Sequence, residues 1–214
     1  MLNELKLNPY NDYFITLFNN NNLRVWSSKI KEKKLLVKIK NVYCSDFTPC
    51  GKLICSVIYK NLENYIHILN VNDGKNETFA FVKIDNGNKV NDIKVIYENI
   101  YCILILFESG QINMYDFFTL KLEQKIIQNE KVKNSDKLYF INCYSDNFLN
   151  ILLKKDEDKY LIFDLQKYNF HQIIENEKNT NKIEGVTFFK YGEYIYNIIE
   201  DNIHIFKIEN KQLL

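Results

Sequence analysis

A short apolar strand returns five times along this chain at nearly constant spacing, and that recurrence limits the folds open to it. The copies are Leu23-Arg24-Val25-Trp26-Ser27, Ile66-His67-Ile68-Leu69-Asn70, Ile112-Asn113-Met114-Tyr115-Asp116, Tyr160-Leu161-Ile162-Phe163-Asp164 and Ile203-His204-Ile205-Phe206-Lys207. Their large residues Trp26, Leu69, Tyr115, Phe163 and Phe206 stand 43, 46, 48 and 43 positions apart. A period of this size marks a repeated unit of four short strands. Such a unit cannot bury its apolar face alone, so successive units must stack on one another.

Each copy sits third in a set of four candidate strands. The first set reads Leu2–Leu7, Tyr13–Phe18, Leu23–Trp26 and Leu35–Ile39; the second reads Val42–Phe47, Leu53–Tyr59, Tyr65–Leu69 and Thr78–Ile84. The third reads Val90–Ile96, Ile100–Phe107, Gln111–Tyr115 and Leu122–Ile127; the fourth reads Leu138–Cys143, Phe148–Leu153, Tyr160–Phe163 and Phe170–Ile174. The fifth has Ile183–Phe188, Tyr194–Ile199 and Ile203–Phe206, with only Glu209–Leu214 left for a fourth strand.

Turn chemistry supports the same register. Both prolines, Pro9 and Pro49, follow the first strand of a set, where no ladder donor is needed. Gly51 and Gly192 lie four residues after Phe47 and Phe188, and glycine accepts the left-handed backbone of tight turns. Polar stretches join second to third strands: Asn19–Asn22, Asn61–Asn64, Ser109-Gly110, Asp156–Asp158 and Asp201-Asn202, which predicts hairpins. Phe117–Gln128 comes nearest to helical periodicity, but its Phe-Phe-Thr start and its place in the repeat favour strand. The expectation is an all-β, five-bladed propeller forming one domain over 1–214. Its blades fall at about 1–40, 41–88, 89–131, 132–178 and 179–214.

Composition narrows function mainly by exclusion. With 28 Lys+Arg against 27 Asp+Glu the chain is nearly neutral, so net charge signals neither nucleic acid nor an anionic membrane. The longest apolar run, Ile100 to Phe107, is strand-sized, far short of a membrane span. Met1–Leu7 lacks the cationic start and apolar core of a secretory signal. Five cysteines (Cys44, Cys50, Cys55, Cys102, Cys143) make an odd set without a CxxC pair, which points to reduced thiols in an intracellular protein.

The residues Phe47-Thr48-Pro49-Cys50-Gly51-Lys52 before one strand, and Leu23-Arg24-Val25-Trp26-Ser27 in another, resemble WD-repeat propellers over essentially the whole chain. Only Tyr115-Asp116 and Phe163-Asp164 keep the aromatic-Asp pair, and the Gly-His dipeptide of that family is absent. A closer resemblance runs from Leu7-Asn8-Pro9 through Asp12-Tyr13-Phe14-Ile15 and Leu23–Trp26 to Val42–Phe47. It is to the WD-repeat subunits shared by the COMPASS histone H3 methyltransferase and a phosphatase/transcription-termination complex. That resemblance implies a nuclear, non-catalytic chromatin scaffold binding proteins in a multisubunit complex. It further implies that about two N-terminal blades lie outside this chain.

Candidate chemistry is sparse. His67 and His204 share one repeat position between two apolar residues, and His171 stands apart; the strand-surface reading outweighs a metal or general-base role. Cys44, Cys50 and Cys55 lack zinc spacing. The basic stretch Lys29-Ile30-Lys31-Glu32-Lys33-Lys34, with Lys38 and Lys40, could meet phosphate, but a solvated loop is the simpler reading. Asp156–Asp158 and Glu175–Glu177 read as solvated turns. No phosphate loop, nucleophile elbow or supported carboxylate pair is present, and no repeated inward acid or metal ligand is evident. The expectation is therefore no catalytic, cofactor or metal site, no small-molecule substrate and no direct nucleic-acid binding, with the partner-binding residues unassigned. A subunit of ribosome biogenesis or vesicle coats is the alternative within the binding class, and a propeller enzyme is the alternative outside it. Because the fifth set is short of a strand, the ring is expected to be an open arc.

Overall fold

The computed structural model describes residues 1–10, 12–28, 34–71, 77–84, 89–98, 100–126, 139–140, 150–156, 159–164, 169–175, 185–189, 194–199 and 202–207. These form two compact units, Met1–Lys125 and Ile126–Leu214. The described residues are strand and turn without helix.

The first unit holds three sheets. The first comprises β1 (Leu2–Leu7), β2 (Tyr13–Phe18), β3 (Leu23–Ser27) and β4 (Lys34–Ile39). The second comprises β5 (Val42–Phe47), β6 (Leu53–Lys60), β7 (Glu63–Asn70) and β8 (Glu77–Ile84). The third comprises β9 (Val90–Glu98), β10 (Ile100–Phe107), β11 (Ile112–Asp116) and β12 (Leu122–Ile126). Each is an antiparallel meander in chain order. Phe117–Thr119 forms a turn ahead of β12, as the place in the repeat demands.

The second unit holds β13 (Tyr139–Phe140), β14 (Asn150–Asp156), β15 (Lys159–Asp164) and β16 (Asn169–Glu175) as one four-stranded meander. A three-stranded sheet follows, of β17 (Gly185–Phe189), β18 (Tyr194–Ile199) and β19 (Asn202–Lys207). Glu209–Leu214, all that the fifth set has left for a fourth strand, lies outside the described residues.

The hairpin turns use the backbone that their sequences permit. Asn21, Asn61 and Gly110 have φ of 57°, 52° and 79° between second and third strands, and Asn and Gly are the residues that enter this region most readily. Leu62 joins Asn61 there at φ 67°, which the sequence reading did not anticipate.

Strand alternation then decides which sheet each residue serves. Ile68 and Leu69 are sequence neighbours on opposite faces of the second sheet. Leu69 packs with Phe47 and Ile54 against Ile15, Leu17, Leu23 and Val25 of the first sheet. Ile68 packs with Cys55, Val57 and Ile66 against Val95, Ile103 and Tyr115 of the third. Both interfaces are apolar and almost dry, with Leu23, Val25, Ile54, Cys55, Ile68 and Ile103 all at 0% exposure.

Candidate functional site

In these meanders the turn after the first strand and the turn after the third emerge at the same end of each sheet. Two of these turns are tied together in the first unit, and a third is fixed by its own residues. Asn8, after β1, donates from Nδ2 to the Gly51 carbonyl after β5 at 2.6 Å, while its Oδ1 accepts from the Tyr10 amide at 2.7 Å. Gly51 is at φ 67°, and a Cβ there would stand 2.7 Å from Asn8 Nδ2, so any other residue would be strained and would displace the Asn8 side chain. Asp116 Oδ1 accepts from the Phe118 and Thr119 amides at 3.0 and 2.6 Å, fixing the turn after β11. The Thr119 amide, followed by the other donors, holds that carboxyl below the usual range.

These fixed turns carry aromatic side chains. Tyr101 is the hub: its ring lies 4.7 Å from Tyr97, 5.8 Å from Phe117 and 6.1 Å from Phe118, the last edge-on at 85°. Phe117 and Phe118 meet at 5.5 Å and 83°, an edge-to-face arrangement favoured by ring quadrupoles. Burial raises the Tyr101 hydroxyl's pKa, and the adjacent Cys50 thiol, Tyr97 and Tyr10 raise it further. Phe117 is buried, but Tyr10, Phe118 and Tyr97 remain 65%, 65% and 47% exposed. The result is a rigid, outward-facing aromatic group with hydroxyl tips. Sequence reading missed it because Tyr10 lies in the first repeat and Tyr97 and Phe118 in the third. The available signal was large aromatics in or beside turns at the same end of successive units.

A second feature is a row of inward charges. Lys6, Asp46 and Lys94 hold the same register position, one residue before Leu7, Phe47 and Val95 of β1, β5 and β9, and are 4%, 3% and 5% exposed. Lys6 Nζ donates to the Ser45 carbonyl at 2.7 Å and pairs with Glu4 at 3.0 Å and Asp92 at 3.8 Å. Asp46 Oδ2 lies 3.5 Å from Lys94 Nζ and accepts from the Val95 amide at 3.0 Å. Burial works against the Lys6 ammonium, but Asp92, Asp46 and Glu4 outweigh it and hold the charge above the ordinary range. A repeated inward position is thus charged, with acids and bases alternating. Each carboxylate has a cationic partner, so the row suits pinning neighbouring first strands better than proton transfer.

The remaining candidates fall apart spatially. His67 is buried against Phe81 at 5.8 Å with Nε2 3.1 Å from Thr78 Oγ1, and burial lowers its pKa. Cys44 and Cys55 are buried thiols whose pKa values rise, first through burial and then through Asp92 and Asp46 respectively. Cys50 rests 3.2 Å from Thr48 Oγ1. Among the described residues no group of three His, Cys, Asp or Glu side chains is placed to hold a metal. No helix there is long and apolar enough to cross a membrane. The basic positions 29–33 and the side chains of His171, His204, Asp156–Asp158 and Glu175–Glu177 lie outside the described residues.

No family model and no curated protein matches the chain. Among solved structures 1381 chains match, which marks the fold as a common one and leaves function open. One is the crystal structure of a functionally unknown protein from Desulfotomaculum acetoxidans DSM 771, at TM-score 0.68 and 12% identity. The match covers 98% of this chain but 66% of that one, so this chain spans about two-thirds of the structure it resembles.

Proposed function

We propose that the chain is a non-catalytic scaffold of the WD-repeat propeller type, its five sheets being blades of an incomplete ring. On this reading it binds proteins within a multisubunit assembly. The observation that carries the proposal is the exposed aromatic group of Tyr10, Tyr97 and Phe118 around Tyr101 at one end of the first three sheets. Aromatic side chains on a rigid support bring large contact area at low ordering cost, and they dominate protein-binding energetics. Loops held by such a scaffold are a common seat of function. The resemblance to subunits of nuclear histone-methyltransferase and termination complexes narrows the partner class to chromatin and RNA-processing proteins.

The test is affinity capture from native extract with the tagged chain and its Tyr97→Ala/Phe118→Ala variant, read by mass spectrometry. Methyltransferase or termination-phosphatase subunits should be recovered with the parent and lost with the variant. Pre-ribosomal or coat proteins instead would assign the scaffold to those assemblies. Equal recovery by both proteins would remove the aromatic group from the interface.

A further inference from the structure

The last strands of the three sheets in the first unit differ in what their edges carry. Among the described residues β4, β8 and β12 each pair on one side only, with β3, β7 and β11. β4 (Lys34-Leu35-Leu36-Val37-Lys38-Ile39) has two lysines, and β12 (Leu122-Glu123-Gln124-Lys125-Ile126) has charge at its centre. β8 reads Glu77-Thr78-Phe79-Ala80-Phe81-Val82-Lys83-Ile84, so its charges stand toward the two ends and the run Thr78–Val82 between them is uncharged. Within that run Phe79, Phe81 and Val82 are 58%, 42% and 38% exposed. An edge strand with exposed apolar side chains is a template for another strand.

We propose that β8 is a self-association edge: two copies of this chain join antiparallel, β8 to β8, about a two-fold axis at Ala80. The order of residues along the strand selects a second copy as the occupant. That register sets Glu77 opposite Lys83, Thr78 opposite Val82 and Phe79 opposite Phe81, each twice, as an isologous contact requires. Opposite charges and aromatic pairs across strands are favourable, whereas like charges are not. β4 paired with itself about Leu36 would instead set Lys34 against Lys38. The β8 edge is also ordered before it pairs. Phe81 stacks on Tyr65 at 4.7 Å and 13° and meets His67 edge-on at 5.8 Å and 69°, with the Lys60 ammonium 5.9 Å from its centre. Thr78 Oγ1 lies 3.1 Å from His67 Nε2, and Lys83 pairs with Glu63 at 2.6 Å. In the dimer Lys83 would stand between Glu63 of its own sheet and Glu77 of the other copy. Side chains fixed beforehand lose little freedom on association. β8 carries one residue more than β7 at Phe79, and such a bulge, like the charges near the ends, hinders pairing with arbitrary strands. Because both copies use the same edge, association closes at two. The proposal stands on the second sheet alone, so failure of the partner assignment leaves it intact.

Sedimentation velocity over a range of concentrations reads the association, and the parent chain should pass from monomer to dimer. Glu77→Lys and Lys83→Glu each oppose like charges twice and should weaken the dimer roughly tenfold. The double variant Glu77→Lys/Lys83→Glu should recover most of it. Both side chains are exposed, so all three variants should keep the parent's circular dichroism. Leu122→Lys on β12 should leave the dimer unchanged. Cysteine cross-linking reads the register: under mild oxidation Ala80→Cys should form a disulfide-linked dimer that the parent does not. Thr78→Cys and Val82→Cys should link when mixed and not separately. A parent chain that stays monomeric throughout would overturn the proposal. So would a dimer indifferent to the charge swap, one that Ala80→Cys fails to cross-link, or one lost equally with Leu122→Lys, since each places the contact elsewhere.

Discussion

The first and second sheets are built to one plan and end in different states. Both are four-stranded meanders with corresponding rows, yet Leu7 is 52% exposed where Phe47 is 3% exposed. The hydroxyl carried by β2 and β6 shows the same divergence. Thr16 in the first sheet accepts from the Trp26 indole at 2.9 Å. At the matching places the second sheet has Ser56 and Leu69; leucine offers no donor, and Ser56 Oγ is buried without a hydrogen-bond partner. The third sheet has Ile105 at the hydroxyl's place, and Tyr115 instead pairs with Asn113 Nδ2 at 3.2 Å. A repeat thus conserves its geometry more faithfully than its contacts, because geometry comes from strand pairing and contacts depend on what lies opposite.

That contrast can be pressed with substitutions, and buried charge should give the largest response. Asp46→Ala removes a buried carboxylate that pairs with Lys94 and accepts from the Val95 amide and should cost about 3–5 kcal/mol, while Glu4→Ala, at the half-exposed end of the row, should cost far less; urea denaturation of both measures the gap. Phe47→Ala should destabilise by about 3–5 kcal/mol, as core truncations do. Its counterpart Leu7→Ala should cost about 1 kcal/mol or less, and a comparable loss at both sites would erase the difference between the sheets. Gly51→Ala should cost about 1–3 kcal/mol, since it forces a side chain into left-handed backbone against Asn8; thermal melting of this variant also reports whether the aromatic end loosens. Thr16→Val should cost about 1 kcal/mol through the lost indole bond, whereas Ser56→Ala should be neutral or stabilising because it removes an unsatisfied buried hydroxyl.

The smallest expected effect is one of pH. His67 titrates below its ordinary value of 6.5 because burial disfavours its charged form. The unfolded chain therefore binds this proton first as pH falls, so stability should decline from about pH 6.5 downward and level off below the folded-state value. His67→Phe should flatten that slope in denaturation curves taken at stepped pH, and an unchanged slope would assign it to other groups.

The architecture was readable because it rests on local signals. The 43-to-48-residue spacing, the alternation around Trp26, Leu69 and Tyr115, and the Asn and Gly turns each report short-range geometry. Strand limits agree closely in the first unit, where β1, β2 and β5 span the expected residues. The interaction surface was not readable in the same way. Tyr10 and Tyr101 are 91 positions apart, and nothing local says that Tyr10 and Cys50 both come near Tyr101. Lys6, Asp46 and Lys94 were visible as residues but not as a row, since charge on a strand ordinarily faces water and only the stacked sheets turn these three inward.

By itself, then, the sequence determined an all-β chain of repeated four-stranded units, their turns and the alternation of faces, because hydrogen-bonded strands have a period of two and turns obey residue-specific backbone limits. Tertiary structure decided which of those faces is covered, which charges find partners and which aromatics converge. Those outcomes depend on side chains more than forty positions apart meeting across sheets, and no local pattern encodes that meeting.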